Sequence, residues 1–456
     1  MIIRLAPEYE QAYQAAKSYF SYTFEYETSL TPAMMLQAFD PAETRFFWQT
    51  PDQSLTLLGI GEVFQLPSAK SQQMHQQKER LRTQLFDPSQ ACRLVGALPF
   101  DPQAKKAPLW DELAEGGFVL PEIELVYQHH RWHVTLIVKR PATYAQLALD
   151  FNQLQQRFFA AVTTSHPKKD NHVQAMEELA VTQWLTTVKE AIATIKDPGN
   201  PLEKIVLARQ LRLEMEREID GAQLVQRLLV QQPQTYVFFL QRNERIFVGA
   251  TPERLLAGET DTIYTAAVAG SIERGQTADE DQTLGAALLH SAKNLHEHQI
   301  VVDRIRKAIA PFTQNQVTVG ERTLLKNRDI QHLYTPIVGK RQAKGPTFLD
   351  MIDQLHPTPA LGGEPKEAAL HWLRHQEPVG RGLYGAPIGW LSLAEDGGEF
   401  AVGIRSAVLY KQHALLYAGC GIVADSVAIE ERAETSVKFQ PMKRGISDED
   451  PATNHD

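Results

Sequence analysis

The sequence predicts an α+β fold, and three features of its periodicity carry that prediction. Strand-like alternation comes in neighbouring pairs, at 235–241 with 245–249 and at 399–410 with 413–418, the second pair joined by a two-residue turn. Helical spacing is gathered into blocks, the longest from about 279 to 311. The regular strand–helix–strand alternation of a parallel sheet is missing. At 456 residues the chain could hold two or three ordinary domains or one large unit.

Taken in chain order, residues 46–48 and 57–63 read as strands, and the Gln-rich, charged stretch 70–84 as a solvated helix. Residues 118–122 lead into 125–127, and 133–138 alternate with the period of a strand. The polar, Pro-containing stretch 165–171 is the best boundary, separating an N-terminal region, 1–170, from a second region, 171–445. Trp184, Val188, Ile192 and Ile195 share a helix face that Asp197-Pro-Gly-Asn-Pro201 brings to an end. Residues 204–213 make a strand with Lys204, Val206, Ala208 and Gln210 on one face and Ile205, Leu207, Arg209 and Leu211 on the other. Residues 262–265 form a strand before a glycine-rich turn, and 279–311 are helical in two pieces. A short helix at 348–355 ends at His356-Pro-Thr-Pro, and a last helix covers about 429–437. The acidic tail, 446–456, reads as disordered.

Lys and Arg number 46 against 55 Asp and Glu, a net charge of −9, with 43% hydrophobic residues. That balance argues against a nucleic-acid partner, which a clustered basic surface would announce. Cys92 and Cys420 cannot make a disulfide framework and read as reduced thiols. No basic segment followed by an apolar run opens the sequence, and no stretch nears the roughly 18 apolar residues of a membrane span. The expectation is a cytoplasmic protein with no membrane and no obligatory protein partner. Its acidity sets a condition: an anionic substrate would need local cations or a metal.

Several short motifs invite chemistry, and each has a plainer alternative. Gly419-Cys-Gly421-Ile-Val-Ala424 has the G-x-G-x-x-A form, but a dinucleotide site needs a helix next and an acidic residue about 20 positions on. A turn whose backbone N–H groups face an anion is the better functional reading, and a tight turn the plainer one. His296-Glu297-His298 is not the H-E-x-x-H of zinc hydrolases, because its imidazoles point apart on a helix. Glu431 and Glu434, three apart on a helical face, either repel one another on the surface or share a cation. Taken singly, Lys204 reads as an edge residue of a strand, Arg405 as a surface or salt-bridge residue, and Glu253 as a carboxylate in the first turn of a helix.

Together, their order and surroundings resemble one family. Lys204-Ile-Val-Leu-Ala-Arg209, Ala250-Thr-Pro-Glu-Arg-Leu, Val268-Ala-Gly-Ser-Ile-Glu-Arg-Gly275 and Lys293-Asn-Leu-His-Glu-His-Gln299 look like successive blocks of the chorismate-utilising enzymes. So do Leu355-His-Pro-Thr-Pro-Ala-Leu-Gly-Gly363, Tyr384-Gly-Ala-Pro-Ile-Gly-Trp390, Ala418-Gly-Cys-Gly-Ile-Val-Ala-Asp425 and Glu434-Thr-Ser-Val-Lys438. The resemblance spans roughly 175–442, and around Lys204 and 356–363 it is nearest the isochorismate synthase branch. It implies an α/β sandwich: two large, mainly antiparallel β-sheets packed together with helices outside, the N-terminal third in the same unit. It implies an isomerase that moves a hydroxyl from ring carbon four of chorismate to carbon two, for menaquinone biosynthesis. Salicylate synthase, anthranilate synthase and a non-catalytic anion-binding protein on the same fold are the alternatives.

By the same resemblance, Lys204 would be the base that deprotonates water and Glu253 the acid that protonates the leaving hydroxyl. Such a pair needs surroundings that favour a neutral amine and a protonated carboxyl. Magnesium would bridge Glu297 and Glu434 to the ring carboxylate, with Glu431 as an outer or second ligand. Arg405 would clamp the pyruvyl carboxylate through its planar fork, helped by backbone N–H groups at Gly419 and Gly421 and by Tyr384. Gly270 and Lys438 would approach the ring carboxylate, while His356, Thr358, Ala360 and Leu361 would shape the ring pocket. Val268 and Ser271 lie in a block that bears on product choice, Ser271 counting among the substrate-binding residues. Asn294 stands where family members often carry an acid.

Overall fold

Alternation at Phe46, Phe47 and Trp48 divides the apolar interior into two layers. Their strand, Arg45–Gln49, pairs with Thr56–Ile60 on one side and Tyr236–Arg242 on the other. Successive side chains of a strand face opposite ways. Phe46 and Trp48 therefore join Phe238, Leu240 and Phe247 in a cluster that also holds Phe118 and Phe400 of a second sheet. Phe47 turns the other way with Phe239 and Val248, beneath the helices Tyr144–Val162 and Gly221–Gln231. Each of these side chains is buried, and each contributes about 1.5–3 kcal/mol of burial.

The computed structural model describes residues 3–447 other than 87–91, 106, 108, 165–169, 259–260, 315–316, 343–344 and 378. Among these residues the strands form a 12-stranded and a 10-stranded sheet, and every strand pairing within them is antiparallel. The first runs from Tyr19–Tyr26 through Arg131–Lys139, Ile123–Gln128, Thr56–Ile60 and Arg45–Gln49 into Tyr236–Arg242 and Arg245–Thr251. It continues through Ser406–Tyr410 and His413–Ile422 to Lys204–Met215. In the second, Ile330–Lys340, Thr262–Glu273, Arg254–Gly258, Gly398–Val402 and Pro387–Ser392 lead to Arg93–Ala97, Gly117–Leu120 and Phe64–Leu66. Strands from before residue 140 are thus continuous with later strands in both sheets. The expected boundary at 165–171 lies mostly outside the described residues. No described helix is long and apolar enough to cross a membrane.

Most expected elements are found within a few residues, and the helix Phe348–Leu355 has the expected bounds, fixed by a capping box between Thr347 and Asp350. The differences are informative. Residues 399–410 are not one strand: Gly398–Val402 belongs to the second sheet and Ser406–Tyr410 to the first. The chain crosses between sheets at Gly403-Ile404-Arg405, with Arg405 left-handed at φ 49°. Thr262–Glu273 runs straight through the expected glycine-rich turn, absorbing Gly270 (φ 75°) as a bulge opposite Leu333 and His332. Gly419-Cys-Gly421 is no turn but lies inside His413–Ile422, paired with Ala208, Leu207 and Val206.

Glu253 caps no helix; it sits in the kink between Arg245–Thr251 and Arg254–Gly258, its N–H donating to the Thr251 hydroxyl at 3.2 Å. Ser71–Gln84 is less solvated than its composition suggested, because Met74, Lys78 and Leu81 are buried. The last helix continues to Ile446, which is packed in the core beneath the first sheet, so the tail begins later than expected. Residues 448–456 of that tail lie outside the described residues.

Candidate active site

One cavity lies where the crossings between sheets converge, enclosing ≈520 Å³ with open solvent included. Val206, Gly419 and Gly421 form one wall, and Gly270, Ser271 and His332 form another. Glu253 and Arg405 enter from the two kinks, Leu361 and Tyr384 from loops, and Glu297, Glu434 and Lys438 from helices. The outcome for the site residues is specific. Ala360 also lines this cavity, whereas Lys204, His356, Thr358 and Glu431 do not.

Strand alternation explains Lys204. Ile205 and Leu207 pack under Trp184, Val188 and Leu373, which leaves Lys204 and Val206 facing the interior. Lys204 is fully buried, and its ammonium donates to Glu297 Oε1 at 2.8 Å. The glycine at 421 makes room for this pair: a Cβ there would stand 2.7 Å from Lys204 Cε and collide with the Glu297 carboxylate. Burial pushes the Glu297 carboxyl up, but the charge and hydrogen bond of Lys204, with Lys438 and Lys293 nearby, outweigh it and hold the group below its ordinary value.

Glu253 behaves in the opposite way. Burial raises its pKa to about 8 against the pull of Arg405, Lys204 and Lys438, so it carries a proton at neutral pH. Two carboxyls in the field of the same lysines, Lys204 and Lys438, are thus set apart, one charged and the other neutral. That division is what an acid–base site requires.

At the far end Arg405 donates through Nη2 to His332 Nε2 at 2.9 Å, and His332 Nδ1 lies 2.8 Å from the Ser271 hydroxyl. Burial, with the charges of Arg405 and Lys438, holds His332 well below its usual pKa and hence neutral. Among the described residues no carboxylate pairs with Arg405. Burial lowers its pKa, yet a guanidinium remains charged. Tyr384 stacks on Tyr417 with centroids 4.9 Å apart, and a Cβ on Gly419 would meet its hydroxyl at 2.7 Å. Gly419 is small so that Tyr384 can reach the cavity.

Three carboxylates crowd the mouth, and a lysine answers each. Glu297 has Lys204, Glu431 has Lys293 at 2.7 Å, and Glu434 has Lys438, which also donates to the Gly419 carbonyl at 2.9 Å. Burial and the neighbouring Glu434 raise Glu431. No group of three His, Cys, Asp or Glu stands ready-made for a metal among the described residues. The donor chemistry nevertheless suits magnesium, which takes one or two carboxylates and completes its shell with water and substrate oxygens. Glu297 and Glu434 both reach the cavity, whereas Glu431 is turned to Lys293.

His298 is a core histidine, donating from Nδ1 to Ala269 O at 3.1 Å and accepting at Nε2 from Thr335 at 2.8 Å, while His296 is exposed. That geometry leaves nothing for a zinc reading. His356 donates from Nε2 to Phe100 O at 2.9 Å, and the Thr358 carbonyl accepts from Leu361 and Gly362, so these two shape the loop behind Ala360 and Leu361. Asn294 accepts from the Ser271 N–H at 3.4 Å across from Gly270. Sequence reading missed His332, Val206, Pro252 and Ile404 as cavity residues. Of these, His332 had no local signal, since its meaning comes from a strand partner and an arginine 73 residues away.

The fold and cavity define an α+β sandwich with an internal receptor for a small anionic molecule. The chorismate binding enzyme family matches residues 7–447, and the chain belongs to that family. It is 36% identical over 421 residues to isochorismate synthase MenF of Bacillus subtilis, covering 89% of this chain and 88% of that protein. It is 32% identical to the salicylate biosynthesis isochorismate synthase of Pseudomonas aeruginosa, over 92% of this chain and 88% of the other. The solved structure of MenF, the menaquinone-specific isochorismate synthase from Escherichia coli, superposes with a TM-score of 0.80. At 24% identity over 96% of this chain and 99% of that one, it is a likeness of fold.

Proposed function

We propose that this chain is an isochorismate synthase, converting chorismate to isochorismate. The observation that carries the reading is Glu253, a buried carboxyl kept protonated to about pH 8, sharing one site with the fully buried Lys204 and the carboxylate-free Arg405. Water adds at ring carbon two and gives its proton to Lys204; the carbon-four hydroxyl leaves with the proton of Glu253. The sum is an isomerisation, after which Lys204 returns a proton and Glu253 regains one. Because only a neutral amine accepts a proton, Lys204 has to release its ammonium proton to solvent before water is activated, and the amine can keep an N–H bond to Glu297.

Arg405 clamps the pyruvyl carboxylate in our reading, with Tyr384 and the backbone at Gly419 and Gly421 beside it. Lys438 and Gly270 face the ring carboxylate end, Ser271 stands behind His332 and Arg405, and Ala360 and Leu361 close over the ring. Glu297 and Glu434 would hold magnesium, with Glu431 behind them, and the ion would supply positive charge for the ring carboxylate. The buried free thiol of Cys420 supports a reducing, cytoplasmic setting. Menaquinone biosynthesis is the proposed destination of the product, supported by the likeness to the Bacillus subtilis enzyme.

A chromatographic assay of purified protein with chorismate, with and without magnesium, tests this. It follows isochorismate, salicylate, pyruvate and, with ammonium added, anthranilate. Magnesium-dependent isochorismate without pyruvate is expected. Salicylate with equimolar pyruvate would replace the reading with salicylate synthase, and no consumption would leave a protein that binds chorismate without converting it.

A further inference from the structure

The strand that carries Lys204 has a gap along its outer edge. Gly363–Glu364 covers it at Lys204 and Ile205, and Val173–Glu178 covers it from Leu211 onward. Between them side chains satisfy the edge: Arg381 Nη2 donates to Val206 O at 2.6 Å, and Glu377 Oε1 accepts from the Ala208 N–H at 3.2 Å. A cleft fills this gap, enclosing ≈580 Å³ with open solvent included, as large as the ≈520 Å³ of the active-site cavity. Trp184, Ala208, Arg209, Glu377, Arg381 and Tyr417 wall it.

These walls are those of a binding site rather than of a packing defect. Trp184, Arg209, Arg381 and Tyr417 are each more than nine-tenths buried, so polar groups have been taken out of water to build the cleft. Both arginines of the wall are paired, although Glu178 is shared between Arg209 and Arg432. Arg209 donates to Glu178 at 2.7 Å and lies over the Trp184 ring at 5.5 Å, while Arg381 grips Glu377 at 2.6 and 2.8 Å. The Trp184 indole N–H is buried without a hydrogen-bond partner among the described residues. Aromatic walls, arginines already engaged with carboxylates and a spare donor suit a neutral planar aromatic molecule with an acceptor oxygen.

The cleft also backs directly onto the active site. Tyr417, in its wall, stacks on Tyr384, which lines the other cavity. Arg381 donates to the Leu361 carbonyl at 2.8 Å as well as to that of Val206, and both residues line the active site. We propose that this cleft is a second small-molecule site, taking a neutral one- or two-ring aromatic that bears a carbonyl or hydroxyl oxygen, and that its occupancy alters chorismate binding through Arg381 and the Tyr417–Tyr384 stack. An occupant that shifts either group changes the active-site wall, which is the differential contact that coupling between sites requires.

Calorimetric titration of the full-length protein with 2-quinolinone and with 1-naphthol tests the site. Saturable binding of at least one is expected, persisting at saturating chorismate, weakened tenfold or more by Gln183→Trp and threefold or more by Trp184→Phe. Gln183 is an exposed helix residue at the rim, so its replacement plugs the cleft without touching the core. The apparent affinity for chorismate, read by calorimetry, is expected to move at least twofold when the probe is bound. No binding of either probe, full displacement by chorismate, or undiminished binding in Gln183→Trp would overturn the site, and an unmoved chorismate affinity would overturn the coupling. Probe binding is read without turnover, so its failure is separate from failure of the isochorismate synthase reading, on which only the coupling rests.

Discussion

The mouth and the floor of the active-site cavity manage charge in opposite ways. At the mouth Glu297, Glu431 and Glu434 are each answered by a lysine, Lys204, Lys293 and Lys438. At the floor Arg405 meets a neutral imidazole, His332, and no carboxylate among the described residues. Removing one partner of a buried ion pair is costly, so the mouth holds its pairs until anions and a cation arrive to exchange them. The floor holds a guanidinium with no ion-pair partner among the described residues, its desolvation already met by folding. An incoming carboxylate gains the full charge-assisted fork without displacing another. The difference teaches which end anchors the substrate and which end performs chemistry: the floor is preorganised to bind, and the mouth is poised to rearrange.

Lys204→Ala attacks the mouth where it is most committed. Turnover is expected to fall by about 10³-fold, the scale of a lost general base, with chorismate binding at the floor retained. The variant leaves Glu297 buried without its partner, so circular dichroism and magnesium binding have to be followed together with rate. Activity within tenfold of the parent protein would remove Lys204 as the base.

Glu253 separates the two ends by pH. Its pKa of about 8 comes chiefly from burial, so kcat/KM is expected to fall about tenfold per unit above that pH as the acid is lost. Glu253→Gln should slow turnover by about 10²-fold and erase that alkaline limb. Stability follows the same sign. A carboxyl whose pKa is raised on folding contributes its stability in full below about 4.5 and loses it as pH climbs through about 8. Thermal unfolding should therefore show a downward slope of Tm over that window that Glu253→Gln removes. A pH profile flat to pH 9 would mean the acid lies elsewhere.

Arg405→Lys tests the floor directly. Lysine keeps the charge but loses the planar fork, and one charge-assisted hydrogen bond is worth about 1.5–3 kcal/mol. KM for chorismate should rise at least tenfold while kcat changes less. A change confined to kcat would mean that Arg405 serves the chemistry rather than the binding.

How much of this was legible in the sequence follows from where each signal resides. Strands with one apolar face, such as 204–213, declare themselves because strand period and burial coincide. Helical spacing joined Glu434 to Lys438, and only the resemblance joined Glu297, on another helix, to them. The crossing at Arg405 was not legible, because alternation continues unbroken through Gly403 and nothing local records that the chain changes sheets there. Gly421 read as a turn because glycine more often marks one; here its purpose is clearance for a lysine 217 positions earlier in the chain. The Lys204–Glu297 and Lys293–Glu431 pairings were equally hidden, being a property of two helices and a strand brought together.

Ser271 gives the smallest and most discriminating test of the floor. Arg405 can only donate, so His332 Nε2 must accept. The imidazole is neutral, which places its remaining proton on Nδ1, donating to the Ser271 hydroxyl at 2.8 Å. Arg405 thereby fixes the tautomer, Ser271 helps hold the ring that meets the guanidinium, and its own O–H is left to donate into the cavity. Ser271→Ala leaves the Nδ1–H only the Gly270 carbonyl as acceptor, a loss of about 1 kcal/mol, and KM for chorismate should rise roughly fivefold with little change in kcat. Ser271→Thr keeps the hydroxyl and should restore affinity. If alanine and threonine behave alike, the Ser271–His332 contact does not hold the guanidinium, and the floor owes its preorganisation to the left-handed backbone at Arg405 alone.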